Sequence, residues 1–165
     1  MELKIYRIFK KNPDMLTARK LNTFTLFKLP SAYFTGVRVI EINAHKCQVG
    51  VRHRWINQNP FGSLYFAVQA MAAELSTGAL VISHIQDSGK NISMLVARNE
   101  STFTKKAKGK IIFECTDGDL AKQSINEAVT TGEGKTFWME SVGRDQAGDG
   151  VATFRFEWSV KLKKG

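Results

Sequence analysis

The sequence is poor in the residues that build disulfide-bonded or metal-bound scaffolds. It has two cysteines, Cys47 and Cys115, and three histidines in 165 residues. Each cysteine lies in a stretch of alternating apolar residues, so we interpret both as buried free thiols in a reducing compartment. Without closely spaced Cys or His pairs, the sequence also argues against a structural zinc site. We therefore expect neither a metal nor a bound cofactor.

The chain also lacks an uninterrupted apolar segment of the kind found in signal peptides or membrane spans. Lysines and an arginine break up the apolar residues of the first 11 positions. Residues 62–85 are long enough to cross a bilayer, but Glu74 lies in the middle of them, and a carboxylate is costly in lipid. We expect a cytoplasmic protein without stable membrane insertion, in which this segment is a buried core helix.

Acidic residues are outnumbered, with 15 Asp and Glu against 24 Lys and Arg, which gives a net charge of +9. Such a charge favours anionic partners, namely nucleic acid, acidic membranes or phosphate-bearing small molecules. Nucleic acid is disfavoured because the aromatic residues fall on the inward faces of the expected strands and do not alternate with surface basic residues. A phosphate-bearing small molecule and a merely solvated basic surface stay open.

No internal repeat, low-complexity segment or linker divides the chain, which predicts a single domain. Asn12 followed by Pro13 is a helix start signal, because Asn caps and Pro fits the first turn. An amphipathic helix over residues 13–28 is expected to follow. We expect residues 1–34 to form this covering helix and a lead-in, and residues 35–165 to form the main body of the domain.

The rest of the chain combines one helical stretch with many strand-like ones. Residues 37–42 and 47–55 predict a hairpin, and residues 63–85 predict a long apolar helix. Residues 119–129 fit a short helix or a folded excursion. Alternating apolar patterns with hairpin spacing predict further antiparallel strands at residues 92–104, 110–115, 136–142 and 152–162. The order predicts an α+β fold with one helix lying across an antiparallel sheet.

Glu74 is the first candidate for chemistry, because it is the only charged residue between positions 62 and 85. Small residues within two helical turns, Ala67, Ala70 and Gly78, leave room for a ligand beside it. A partly desolvated carboxyl has a raised pKa, which suits a general base or a nucleophile near neutral pH. An ion pair with an arginine of a sheet strand is the open alternative. The arginines concerned are Arg52, Arg54 and Arg98.

The loop before the long helix is the second candidate. Gly62 allows close backbone approach, and a helix N-terminus offers unpaired N–H groups with a positive dipole. Such donors can hold the oxyanion that develops on a thioester carbonyl. The open alternative is an ordinary loop with a helix cap at Asn59 or Ser63.

Residues 59–67, together with Glu74, resemble the signature of hot-dog fold thioesterases. The resemblance is greatest to the branch that contains the phenylacetate-pathway type and an uncharacterised sister group. In those proteins an Asn precedes Gly-Thr and a His or aromatic residue, and the catalytic Asp or Glu lies nine residues after that His position. The residues that match in type and spacing are Asn59, Gly62, Ser63 and Glu74.

Two positions depart from the family pattern. Tyr65 occupies the usual His position, and Phe66 replaces the small residue, usually Gly, that follows it. Residues 102–111 also resemble the strand-turn-strand of the same family, so the resemblance covers roughly residues 35–162. Both departures favour the alternative that the protein binds an acyl group or another ligand without catalysis.

The resemblance implies a hot-dog fold and an acyl-CoA or acyl-carrier thioesterase, with the coenzyme A thioester as substrate. Glu74 would be the base or nucleophile, the Phe66 amide would hold the oxyanion, and Asn59 would orient the loop or the water. Tyr65 would complete the catalytic group. The implied substrate-binding residues are Gly62, Ser63, Ala67, Ala70, Gly78, Lys105, Lys106 and Lys108.

The spacing of Tyr65 and Glu74 bears on the assembly. Nine residues on one helix span about 13.5 Å at 1.5 Å per residue. One thioester carbonyl cannot form direct hydrogen bonds at both points, so a site that uses both must combine two subunits. The resemblance implies just such a two-fold dimer with two composite sites. We expect a homodimer or a tetramer.

Overall fold

The computed structural model describes residues 16–163. The elements in chain order are α1 (Ala18–Lys28), α2 (Pro30–Phe34), β1 (Arg38–Ile42), β2 (Cys47–Arg52), a 3-10 turn (Trp55–Asn57), α3 (Phe66–Asp87), β3 (Ile92–Phe103), β4 (Lys110–Cys115), α4 (Gly118–Thr131), β5 (Lys135–Arg144) and β6 (Gly150–Leu162). The six strands of these residues form one antiparallel sheet in the order β1-β2-β4-β5-β6-β3, which confirms the predicted α+β architecture.

The first described helix, α1, begins later than predicted. Its cap is Thr17, whose hydroxyl oxygen accepts a hydrogen bond from the Lys20 N–H at 3.3 Å. The expected start at Asn12 and Pro13 lies outside the described residues. The Asn22 side chain joins α1 to the edge strand β1, because its amide both donates to and accepts from the backbone of Val39 at 2.9 Å. The division of the chain at residue 34 stays a prediction.

The long helix α3 is the core helix that the sequence predicts. By length and composition it could cross a membrane, but 67% of its most apolar window is buried within the fold. It begins at Phe66, three residues later than predicted. The delay has a physical cause, since Leu64 is held extended: it forms an antiparallel bridge with Gln58, and its N–H donates to the Ala107 carbonyl oxygen at 2.9 Å.

The inner face of the sheet carries the predicted alternation. On β4 and β6 every second side chain is buried against α3 and α4, while the intervening residues face outward. The stretch at residues 119–129, predicted as a helix or an excursion, is the 14-residue helix α4. The buried side chains of the two strands are Ile111, Phe113, Cys115, Val151, Ala152, Phe154, Phe156, Trp158 and Val160, and the alternation on β6 runs from Ala152.

The strand predicted over residues 47–55 ends at Arg52, so its last three residues lie outside the sheet. Trp55 is 84% exposed and lies in the 3-10 turn. The buried Asn57 side chain accepts from the Arg54 N–H at 2.7 Å and donates to the carbonyl oxygens of Arg52 and Thr35. These three bonds turn the chain away from the sheet.

The two cysteines face each other across β2 and β4 as buried free thiols. Burial is the main cause that raises the pKa of Cys47 and of Cys115 to about 12. Both thiols are therefore protonated at neutral pH and act as small apolar core residues.

Helix α4 begins where the backbone approaches the β1–β2 turn very closely. A Cβ at Gly118 would lie 2.2 Å from the Ala44 carbonyl oxygen and 2.7 Å from the His45 Cα. Backbone atoms cannot move away as a flexible side chain can. We expect Gly118→Ala to lower the free energy of unfolding by about 1–3 kcal/mol in denaturant titrations. Gly150→Ala is the matched control, because that position faces open space. Equal losses in the two variants would contradict the prediction.

Candidate active site

Glu74 lies half-buried on α3 without an ionic partner among residues 16–163. Burial raises the pKa of its carboxyl to about 6. The ion pair with a sheet arginine is not formed, and Arg98 contacts Glu157 on β6, with 3.5 Å between Nε and Oε2. A carboxyl that is neither paired nor fully solvated is poised to exchange a proton near neutral pH.

The small residue that follows Glu74 by one turn makes room for two neighbours. A Cβ at Gly78 would lie 3.2 Å from Cη2 and Cζ2 of Trp158 and 3.3 Å from Oε1 of Glu74. The carboxyl and the indole therefore share the space above one glycine. Ala67 and Ala70 lie half-buried earlier on the same helix. Of these three small residues, Gly78 is thus placed beside the carboxyl.

The loop before α3 is held together by Asn59. Its Oδ1 accepts from the backbone N–H groups of Phe61 (3.0 Å) and Ser63 (3.2 Å), and its Nδ2 donates to the Ser63 hydroxyl (3.0 Å). Gly62 closes the loop with a φ of 70°, a conformation that favours glycine. Of the two roles expected for Asn59, these contacts support orienting the loop.

The start of α3 offers free donors. Tyr65 is the N-cap residue, and no side chain caps the helix. Within the described part of the chain, no acceptor receives the N–H groups of Phe66 and Ala67. The Tyr65 and Phe66 side chains are 45% and 55% exposed. The helix start therefore has free N–H donors of the kind that can hold a developing oxyanion.

The three candidate lysines differ in their surroundings. The Lys105 ammonium contacts carboxylate oxygens of Asp145 at 2.6 Å and Asp149 at 2.7 Å. Its charge is thus neutralised within the fold. Lys106 and Lys108 are exposed and form no ion pair among the residues described. Only these two are available to an anionic ligand.

Glu74 lines neither of two surface cavities found within the described residues. These cavities, of about 450 and 460 Å³, lie on the exposed side of α4 and beside Arg19 and Arg38, away from the carboxyl. Residues 16–163 also contain no cluster of three or more His, Cys, Asp or Glu side chains suited to a metal ion.

Residues 18–160 match the sequence model of a family described as a domain of unknown function, DUF4442. The chain belongs to this family. No curated protein sequence matches this DUF4442 protein.

Solved structures share its fold over nearly their whole length. A Pseudomonas aeruginosa protein of unknown function, described as a probable thioesterase, superposes with a TM-score of 0.75 at 22% identity, covering 90% of this chain and 99% of its own. A Haemophilus influenzae thioesterase gives 0.67 at 13% identity, covering 90% and 93%. A mutant thioesterase from Pseudomonas aeruginosa gives 0.70 at 12% identity, covering 92% and 98%. The DUF4442 protein thus has the thioesterase-like hot-dog fold that the sequence predicts.

Sequence reasoning missed two residues that lie beside Glu74 in this DUF4442 protein. The Trp158 indole N–H donates to the Thr77 hydroxyl at 3.1 Å, and both side chains are buried. Alternation on the last strand places Trp158 on the buried face. It carries no information on which turn of α3 that residue meets, so no sequence signal identifies the contact.

Proposed function

We propose that this chain is a hydrolase that cleaves acyl thioesters of coenzyme A or of an acyl carrier protein, at a site between two subunits. One observation carries the proposal, namely the unpaired Glu74 carboxyl on the core helix, whose pKa burial raises to about 6. A general base is most effective when its pKa lies near the working pH. The thioesterase-like fold supports the same reaction class.

The reaction needs only groups of the protein, water and the thioester. Ionised Glu74 removes a proton from water while the water oxygen attacks the carbonyl carbon. The carbonyl oxygen becomes an oxyanion and accepts hydrogen bonds from the N–H groups of Phe66 and Ala67. The intermediate collapses, the carbon–sulfur bond breaks, and the thiolate takes the proton back from Glu74. In the alternative nucleophilic route the carboxylate itself attacks the carbonyl carbon, the carbon–sulfur bond breaks and the thiolate leaves, and water then cleaves the resulting anhydride.

Two exposed features support a homodimer. Strand β3 is 12 residues long and is the last strand on its side of the sheet among the described residues. Leu95 on this strand is 67% exposed, and Phe66 and Phe103 stack edge to face at the surface, with ring centroids 6.5 Å apart. A long edge strand with exposed apolar side chains invites a second copy. The dimer would bring the helix start of one subunit to Glu74 of the other.

Subunit mixing tests the composite site. Glu74→Gln removes the base, and Phe66→Pro removes the backbone N–H. In a mixed dimer one site carries both defects and the other carries neither, so random exchange should restore about a quarter of the wild-type activity. Each parent variant stays inactive. If both groups of a site came from one subunit, mixing would restore nothing. Monomers in light scattering at micromolar concentration would also contradict the dimer, whereas a tetramer would not.

A non-catalytic acyl- or ligand-binding protein is the second candidate. Tyr65 and Phe66 favour this candidate, because both are exposed and they stand where the resembled hot-dog thioesterases usually have His and Gly. The discriminating experiment presents the purified protein with a panel of acyl-CoA and acyl-carrier thioesters. We expect turnover that rises with pH around a midpoint of about 6, the pKa of Glu74. Saturable binding without turnover would support the second candidate.

Of the three candidate lysines, Lys106 and Lys108 would bind the coenzyme phosphates, since the Lys105 ammonium already pairs with two carboxylates. This proposal predicts that coenzyme A thioesters bind more weakly as salt rises.

A further inference from the structure

Two buried side chains, Thr77 on α3 and Trp158 on β6, are connected to the backbone of Glu74 by hydrogen bonds. Thr77 donates its hydroxyl to the Glu74 carbonyl oxygen at 3.0 Å and accepts the Trp158 indole N–H at 3.1 Å. Both Thr77 and Trp158 are nearly inaccessible to solvent, at 0% and 3% exposure. One hydroxyl therefore links the backbone of Glu74 to the far strand.

The same indole and the Glu74 carboxyl lie next to one position, Gly78. The outer edge of the Trp158 ring and Oε1 of Glu74 both lie within 3.3 Å of the point that a Cβ of Gly78 would occupy. An aromatic ring in that place occupies volume that water would otherwise fill. The hydrogen bond to Thr77 fixes the plane of the ring, because the indole has a single donor and this is its partner.

We infer that Trp158 is a positioning residue that, anchored by the Thr77 hydroxyl, keeps water from one side of the Glu74 carboxyl and so sets the pH range in which the site works. The inference rests on the proposed function for its catalytic meaning, but the geometry holds without it. Trp158 contacts neither water nor thioester in the reaction and acts through Glu74.

The charged groups of the neighbouring elements do not provide another explanation for the raised pKa of Glu74. The inward faces of β2, β4, β5 and β6 carry apolar residues, serine, glycine and the two protonated cysteines. The charged residues of these strands and of α4 lie on the outward sides, namely Arg52, Lys110, Glu114, Asp119, Lys122, Glu127, Lys135, Glu140, Arg144, Arg155, Glu157 and Lys161. On α3 itself, His84 and Asp87 lie at the opposite end, and on β1 Glu41 pairs with Lys46. Burial alone raises the pKa of Glu74.

Substitutions at Thr77 and Trp158 test the anchor. Thr77→Val keeps the shape and removes the hydroxyl, whereas Trp158→Phe removes both the N–H and the outer ring atoms that lie beside Gly78. In each variant we expect the acidic limb of the kcat/KM pH profile to move down from about 6 toward 4.5. A shift of about one unit is tenfold in proton concentration. Because Thr77 acts only through Trp158, the double variant should shift no further than Trp158→Phe alone.

Two controls separate this effect from general destabilisation. Thr77→Ser retains the hydroxyl and should retain the wild-type profile. Ser76→Ala removes a neighbouring buried hydrogen bond on α3, the 2.7 Å contact with Ser141, and should leave the acidic limb in place. A shift in Ser76→Ala equal to that in Thr77→Val would overturn the inference. So would additive shifts in the double variant.

A titration that does not depend on turnover separates failure of the inference from failure of the proposed function. The Glu74 carboxyl carbon is followed by NMR in the intact protein and assigned by its loss in Glu74→Gln. We expect a pKa near 6 in the wild type and in Thr77→Ser, and a lower value in Thr77→Val. This result together with no thioester turnover would reject the proposed function and retain the inference. Equal values in Thr77→Val and the wild type would reject the inference even if the enzyme is active.

Discussion

Glu74→Gln is expected to reduce thioester turnover by about 10²–10⁴-fold, the usual contribution of a general base. The glutamine has nearly the same shape as the glutamate, so substrate binding should change little and the loss should fall on kcat. The measurement is steady-state hydrolysis of the best thioester found for the wild type. Retained turnover would reject Glu74 as the base or nucleophile.

Glu74→Gln is expected to lower turnover but not the stability of the folded protein. The pKa of Glu74 is about 6 in the folded chain against 4.5 for a solvated carboxyl. The folded state binds this proton more tightly than the unfolded state does. Protonated Glu74 therefore contributes fully to the free energy of unfolding below pH 4.5, and this contribution is lost as the pH rises to about 6. At neutral pH the ionised carboxyl costs on the order of 2 kcal/mol.

Glu74→Gln should therefore be at least as stable as the wild type at neutral pH and show no gain at acidic pH. Denaturant titrations at both pH values measure the difference. A clear drop in the melting temperature at neutral pH would instead indicate a broken ion pair, and would favour a structural role for the carboxyl.

Phe66→Pro is expected to lower kcat by about 10²–10³-fold, the usual effect of deleting one oxyanion donor. Phe66 is the first residue of α3, a position where proline is well tolerated because its N–H has no intrahelical partner. Tyr65 before it has φ −63° and ψ 137°, an extended conformation compatible with a following proline. The substitution thus removes one donor and leaves the helix.

Phe66→Ala is the matched control for the lost aromatic ring. It keeps the backbone N–H, so any effect should fall on KM through lost apolar contact. Comparison of kcat for the two variants on one substrate isolates the N–H. If Phe66→Ala loses as much kcat as Phe66→Pro, the side chain and not the amide matters, and the oxyanion assignment fails.

Parts of the candidate site could be predicted from the sequence because they are local. The spacing of Asn59, Gly62 and Glu74 along the chain is set by covalent connectivity, and a lone charge on an apolar helix is visible as a pattern. The free donors at the start of α3 follow from helix geometry once that start is known. The ion pairs of Lys105 could not be predicted, because its carboxylate partners lie about 40 residues away along the chain and contact it only in the folded protein.

The sequence by itself determined the type of most elements and the faces they bury. Periodicity of two defined β4 and β6, and apolar composition defined α3, because burial acts on every residue of an element in the same way. Tertiary structure decided where elements stop and what they meet. Pairing of Leu64 with Ala107 delays the start of α3, and the Asn57 side chain ends β2 before Trp55. The contact of Trp158 with Thr77 spans 81 residues. Register between distant segments depends on how the whole core packs, and no local pattern encodes it.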